Sequence, residues 1–581
     1  MSIFRATHTA LAHPGLAETR RLPNRWDLAA LICVFGAFVA LAQAVRGTLA
    51  PFDAPEAVTI NLDAAYLPYY ALRTTLRMFA ALAASLLFTL VYAAMAAKSR
   101  RAALVMVPAL DILQSVPILG FLTFTGVFFM NLFPGRVLGL ELAAIFAIFT
   151  SQAWNMAFSL YQSLITVPAE LREAARCFQL SAWQRFWRLE VPFGTPGLVW
   201  NTMMSMSGGW FFVVAAEAVS VGDRTWKLPG IGSYVAQALE ARDIWAVCNA
   251  IAAMLAVILA YDQLLFRPLV AWSAKFRFED VPAAAAAEPW LLRLLRRTRV
   301  LRQGGEAFGR ALTAFGGLRL AGRAVAAPAK RGSSRLSDAL FATALLGVVG
   351  LAVWQIIAFI AASLGWADVL ETLGLGCITL VRVTVLMALA SLVWVPIGVW
   401  LGLRPVWARR AQPVAQFAAA FPANLLFPPA VLFIVYFQLD PDIWLSPLMI
   451  LGTQWYILFN VIAGASVMPP DLIWAAENFR VGGWLWWRRV MLPGIFPYYV
   501  TGAITACGGS WNAAIVSEVA SWGETKLTAH GLGAYIAQAT TAGDMTKVVL
   551  GVAVMCGFVL VVNRLVWRPL HAYGVRRFTF D

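Results

Sequence analysis

Charge is scarce in this sequence. Asp, Glu, Lys and Arg together supply 13% of its 581 residues, against 60% hydrophobic, with a mean hydropathy of +0.71. A soluble chain of this length needs far more polar surface, so a water-soluble globular protein is excluded. Histidine is nearly absent, at four residues. The six cysteines (Cys33, Cys177, Cys248, Cys377, Cys507, Cys556) are scattered, with no CxxC pair and no histidine at ligand spacing. Neither a metal site nor a disulfide framework is supported. The basic first 25 residues carry no small-residue cleavage site, so no removable signal peptide is expected.

What is present is a net charge of +15 and a series of long apolar runs. The stretch from Lys275 to Arg335 holds 13 Lys/Arg against 4 Asp/Glu. The remaining basic residues sit beside apolar runs, at Arg20, Arg21 and Arg25, at Lys98 to Arg101, at Arg409 and Arg410, and at Arg576 and Arg577. That is the positive-inside pattern of a polytopic membrane protein, not a nucleic-acid patch. Runs of about 20 apolar residues span a bilayer. Six are expected near 27–46, 70–97, 104–133, 138–165, 195–221 and 244–272, and six more near 338–362, 376–403, 412–438, 443–467, 496–521 and 545–570. The expected fold is an all-α integral membrane protein of twelve transmembrane helices. A cytoplasmic N-terminus puts every basic cluster inside, so both termini are expected there. Prolines inside runs, such as Pro108 and Pro117 and the pair Pro428 and Pro429, are expected to bend helices.

A constant shift of 301 residues superposes the two halves. Phe178, Trp183, Arg188 and Pro192 meet Phe479, Trp484, Arg489 and Pro493; Trp210, Glu217 and Ser220 meet Trp511, Glu518 and Ser521. Gly230, Gly232, Tyr234 and Gln237 meet Gly531, Gly533, Tyr535 and Gln538. Six spans per copy give both copies one orientation, a parallel repeat. The domains expected are a first repeat at 1–272, a basic cytoplasmic linker at 273–336 and a second repeat at 337–581. In the linker, Leu291, Leu294, Leu295, Thr298 and Leu301 form one helical stripe, suited to anionic membrane lipid or to a solvated tether.

Between the fourth and fifth spans lies Glu173-Ala174-Ala175, followed by Gln179 and by Leu189, Val191 and Pro192. The second copy reads Trp474-Ala475-Ala476-Glu477, followed by Arg480 and by Val490, Leu492 and Pro493. Here the chain resembles the permeases of binding-protein-dependent ABC importers. Their cytoplasmic loop carries Glu-Ala-Ala, three residues, Gly, nine residues, Ile, any residue, Leu-Pro. Gln179 and Arg480 replace the glycine, and Trp474 replaces the glutamate. The resemblance implies a fused tandem permease of the type I importer fold, in a bacterial inner membrane. It implies that the two loops dock two copies of a separate ATPase, which binds ATP and Mg, and that a periplasmic binding protein delivers solute. No cofactor and no catalysis are expected in this chain. The style of the sequence is most similar to the nitrate/sulfonate/taurine branch, which implies a small anion such as nitrate, a sulfonate, taurine or bicarbonate. The look-alike phosphate loop at 304–311 lacks the Lys and Ser/Thr of the real motif.

Polar residues inside spans are costly, about 2.5–3.5 kcal/mol for a central charge, so they are candidates for function. Arg77 and Arg382 either attract an anion or snorkel to the surface. Gln152, Asn155, Gln454 and Asn460 line a path or bridge helices. Glu217 and Glu518 are expected to form a gate or a salt bridge with the arginines. A twelve-helix ion-coupled secondary transporter is the competing reading, and it needs buried acids or histidines at mid-membrane.

Overall fold

The structure is a computed structural model and describes residues 60–115, 118–134, 136–221, 224–276, 298–319, 335–421, 423–466, 468–522 and 525–578. The expected first span, most of the leucine stripe in the linker, and Pro117 lie outside the described residues.

The first half runs α1 (Leu67–Lys98), α2 (Arg100–Ser115), α3 (Ile118–Leu132), α4 (Leu138–Ile165), α5 (Ala169–Cys177), α6 (Ala182–Arg185) and α7 (Val191–Glu217). A hairpin of β1 (Ala218–Val221) and β2 (Arg224–Lys227) follows, then α8 (Ile231–Glu240), α9 (Ile244–Tyr261) and α10 (Arg267–Ser273). The linker supplies α11 (Arg299–Gly317). The second half runs α12 (Arg335–Ala361), α13 (Trp366–Gly402), α14 (Pro405–Ala420), α15 (Phe427–Tyr436), α16 (Pro441–Trp444), α17 (Gln454–Ser466), α18 (Pro470–Asn478), α19 (Gly483–Trp486) and α20 (Leu492–Ser517). It closes with β3 (Val519–Trp522), β4 (Thr525–Thr528), α21 (Leu532–Thr541), α22 (Met545–Val562) and α23 (Arg568–Phe578).

The 301-residue shift survives as geometry. Hairpin register runs from Ala218↔Lys227 to Val221↔Arg224 and from Val519↔Thr528 to Trp522↔Thr525. Even the local π-turns repeat, at Phe186–Glu190 and Trp487–Met491 and again at Asp262–Phe266 and Asn563–Trp567. Each half closes around its own core, with Trp210 and Trp511 fully buried at equivalent places. The halves also exchange elements: α14 packs on α7 and α9, while α2 packs on α20 and α22 and α3 on α20 and α21.

Among the described residues seven helices are long and apolar enough to cross a membrane, or eight if one bent pair is a single span. α12 is apolar yet exposed along nearly its whole length, the surface of a helix that faces lipid. Two expected spans are corrected. The run at 412–438 divides into α14 and α15, and Pro428 and Pro429 begin α15 instead of bending a longer helix. Their missing N–H groups fall in a first turn, where no intrahelical partner is lost. The run at 443–467 also divides, its two parts inclined at 43° about a break at 450–453. In the first half the same stretch is the continuous helix α4. The segment at 304–311 is helical, within α11, and forms no loop that wraps a phosphate.

Candidate functional site

The two loops form matching elbows. Pro168 and Pro469 precede α5 and α18, fixing an extended backbone before each helix. Within each nine-residue helix one alanine is buried, Ala175 or Ala476, while Glu173, Ala174, Ala475 and Glu477 are exposed. The buried methyl seats the elbow on the bundle and the opposite face stays open. Both helices end alike. Leu180 N–H donates to Ala175 O (3.1 Å) and Gln179 N–H to Arg176 O (2.8 Å); Val481 N–H donates to Ala476 O (2.8 Å) and Arg480 N–H to Glu477 O (3.0 Å). This terminus needs a left-handed residue, and Gln179 (φ 50°) and Arg480 (φ 52°) adopt that conformation. The glycine of the family pattern is thus a conformational requirement, and both copies meet it with a strained side-chain residue. Pro192 and Pro493 lie in the first turns of α7 and α20. Beside the second elbow a hollow of about 550 Å³ is lined by Leu472, Ala475, Ala476, Phe479, Leu485 and Pro493, among others. Phe178 and Phe479, 65% and 79% exposed, stand at the elbow tips.

At the opposite ends of α4 and α7, about 40 Å away by helix rise, lies a buried charge cluster. Arg77 joins both carboxylates: its Nε donates to Glu141 Oε2 (2.5 Å), Nη2 to Glu141 Oε1 (2.8 Å) and Nη1 to Glu217 Oε1 (2.7 Å). Arg73 Nη2 adds a bond to Glu141 Oε1 (2.5 Å). Thr74 Oγ1 donates to Glu217 Oε1 (2.7 Å) and accepts from Ile231 N–H (2.9 Å), while Gly232 N–H donates to Glu217 Oε2 (2.6 Å). All four charged groups are at most 3% exposed. Two cations on one helix thus neutralise two carboxylates from two other helices, which is what burial demands. Gly230 explains itself here, since a Cβ on it would collide with the Glu217 carboxylate.

The second half repeats the plan with changed parts. Thr379 Oγ1 donates to Glu518 Oε1 (2.9 Å) and accepts from Leu532 N–H (2.9 Å), and Ala534 N–H donates to Glu518 Oε2 (3.0 Å). Arg382 contacts Glu518 (3.3 Å) and Asp442 (2.8 Å), and its Nη1 also donates to His530 O (2.7 Å). His530 Nδ1 lies 2.9 Å from Asp442 Oδ2. Asp442 stands 301 residues after Glu141, and Ile378 occupies the position of Arg73. This cluster is open to solvent, with Asp442 35% and His530 79% exposed.

Arg77 and Arg382 therefore meet the expected salt-bridge partners Glu217 and Glu518, and Arg77 does not snorkel. Glu141, Asp442, Thr74 and Thr379 were missed. The 301-residue identity of acid at 141 and 442 was the available signal. The four amides are distributed between helices: Asn155 donates to Ser205 Oγ (3.1 Å), Gln152 to Met206 Sδ (3.6 Å), and Gln454 Oε1 accepts from Trp394 Nε1 (2.8 Å). Asn460 donates to its own helix at Tyr456 O (2.8 Å).

Where α7 of one half faces α14 and α17 of the other, a void of about 10 Å³ is lined by Ser207, Gly208, Gly452, Trp455, Tyr456 and Phe459, among others. It has room for roughly one water. The Trp455 indole N–H is buried there without a partner, and a Cβ on Gly208 would sit 2.5 Å from the Tyr456 hydroxyl. No charged side chain lines the void.

A repeated helical bundle with paired elbows at one end and paired charge clusters at the other defines a membrane transporter built of two equivalent halves. The profile described as the binding-protein-dependent transport system inner membrane component matches residues 85–266 and 394–572, together more than half of the chain. The chain belongs to this family and is a fused tandem permease. It is similar to the nitrate import permease protein NrtB of Leptolyngbya laminosa, 23% identical over 198 residues, 32% of this chain and 64% of that protein. It is also similar to the bicarbonate transport system permease protein CmpB of Synechocystis sp., 25% identical over 165 residues, 28% of this chain and 56% of that protein. The CmpB of Synechococcus elongatus is 27% identical over 188 residues, 32% of this chain and 64% of that protein. The matches span less than two thirds of these relatives' length.

Proposed function

We propose that the chain forms the translocation path of an ATP-driven importer for a small oxyanion of the nitrate or bicarbonate kind. The observation that carries this reading is the pair of elbows, equivalent in backbone and each seated by one alanine. In the proposal the elbows and both termini face the cytoplasm, where two copies of an ATPase subunit bind ATP and Mg and dock on Glu173, Ala174, Ala475, Glu477 and their neighbours. A binding protein delivers solute at the charge-cluster end. Closing of the ATPase pair draws the elbows together, and stiff helices such as α4 and α7 carry that motion to the clusters. Domains run 1–272, 273–336 and 337–581.

The arginines act as locks for the outer ends and not as anion ligands, since their guanidinium donors are engaged by carboxylates and a backbone carbonyl. Solute passes between the halves beside Ser207, Trp455 and Tyr456, whose N–H and O–H groups suit an oxyanion without trapping it through full charge. The test is reconstitution of the chain with its co-purified ATPase and binding protein in proteoliposomes, measuring uptake of labelled nitrate and bicarbonate. Uptake that needs ATP supports the reading. Uptake driven by an ion gradient without ATP replaces it with a secondary transporter.

A further inference from the structure

We infer that the linker helix α11 is a built-in cap on the first elbow, so that the two elbows offer a docking partner chemically different faces. The interface stands on contacts within this chain, whatever solute the complex carries. The last carbonyls of a helix lack intrahelical donors, and here the elbow provides them. Trp183 Nε1 donates to Phe315 O (2.9 Å) and Gln184 Nε2 to Gly317 O (2.8 Å). The Phe315 ring stands edge-on between two indoles, 5.0 Å from Trp183 and 5.3 Å from Trp187. Glycines make the close approach possible. A Cβ on Gly316 would lie 3.3 Å from Trp187 Cβ, and one on Gly317 2.9 Å from Arg188 Nη2.

Gln184 serves both partners. Its oxygen accepts from Ser181 N–H (3.1 Å) while Ser181 Oγ accepts from Gln184 N–H (3.2 Å), closing the cap of α6. Its amide nitrogen is thereby turned to the linker. In the second copy Ser181 becomes Gly482, Gln184 becomes Leu485 and Trp187 becomes Arg488. The hook and the aromatic slot are both gone. Trp484, the counterpart of Trp183, is 74% exposed, Leu485 is 52% exposed, and the hollow beside them is open. One linker cannot serve two elbows, and the residues that hold it occur in one copy alone. A docking subunit therefore meets the first elbow with α11 attached and the second elbow bare.

Hydrogen exchange tests this on the full chain in lipid nanodiscs, alone and with its co-purified ATPase. Amides of 310–318 are expected to be protected in both states. Gln184→Glu keeps the oxygen for Ser181 but loses the donor, and Trp183→Phe keeps the ring but loses the N–H. Each is expected to speed exchange at 310–318 about tenfold, the effect of one hydrogen bond, with 470–491 unchanged. Amides 181–185 report whether the elbow itself stays folded. Should Gln184→Glu open them, Trp183→Phe alone decides. Unaltered exchange at 310–318 in that variant overturns the cap, as does loss of protection when ATPase binds the unmodified chain.

Discussion

Replacing Arg77 by methionine should cost far more than the same change at Arg382, although the two residues are equivalent in the repeat. Arg77 makes three charged hydrogen bonds to Glu141 and Glu217, which are 2% and 0% exposed. Its loss leaves the fully buried Glu217 without a cation, and breaking a buried pair in this way costs about 3–5 kcal/mol. Arg73 still bonds Glu141 and limits the damage to one carboxylate. Arg382 is itself 10% exposed, and its closer partner Asp442 is 35% exposed and also held by His530. Water takes over part of what Arg382 → Met removes, so about 1–2 kcal/mol is expected after that discount. The assay is thermal unfolding of the full chain in nanodiscs, monitored by intrinsic tryptophan fluorescence, for both single variants. A third protein, Arg77→Met with Glu217→Gln, removes the orphaned charge and should recover at least half of the loss. Equal destabilisation at the two arginines, or no recovery in the double variant, would refute the argument that burial sets the difference.

Three other outcomes are expected. Gln179→Gly and Arg480→Gly should each stabilise their elbow by about 1 kcal/mol, because glycine carries no left-handed penalty; an unchanged or lowered midpoint in both would speak against strain at these sites. Gly230→Ala should destabilise by about 1–3 kcal/mol, the range for overpacking, because its methyl meets the Glu217 carboxylate; the unfolding midpoint of the purified chain checks it, and a neutral result contradicts the packed geometry. Gly208→Ala should lower uptake by the reconstituted complex with little loss of stability, since its methyl falls on the Tyr456 hydroxyl. Adding Tyr456→Phe should restore uptake, and a failure to do so would argue that Gly208 is needed for another reason.

The membrane class, the parallel repeat and both elbows could be read from the chain because each is a local or periodic property. Apolar run length reports burial in lipid, and a constant shift of 301 residues reports a duplicated unit. Even the left-handed residues Gln179 and Arg480 were marked in advance, as the places where a glycine was missing. The broken span at 450–453 was not legible, since its apolar composition is continuous through the break. Nor was the linker's seat. The stripe of leucines drew attention to 291–301, whereas the anchoring contacts come from Phe315 and Gly317, more than 130 residues from their partners.

Amino-acid order by itself determined that this chain enters a bilayer, that it does so twice over with one plan, and that each copy presents a proline-bounded elbow. Tertiary structure alone decided which carboxylate neutralises which arginine. Glu141 and Glu217 lie 64 and 140 residues from Arg77, too far for any spacing rule to pair them. A charge in a dry interior must find its counterion across space, and only the packing of three helices around one another settles who stands opposite whom.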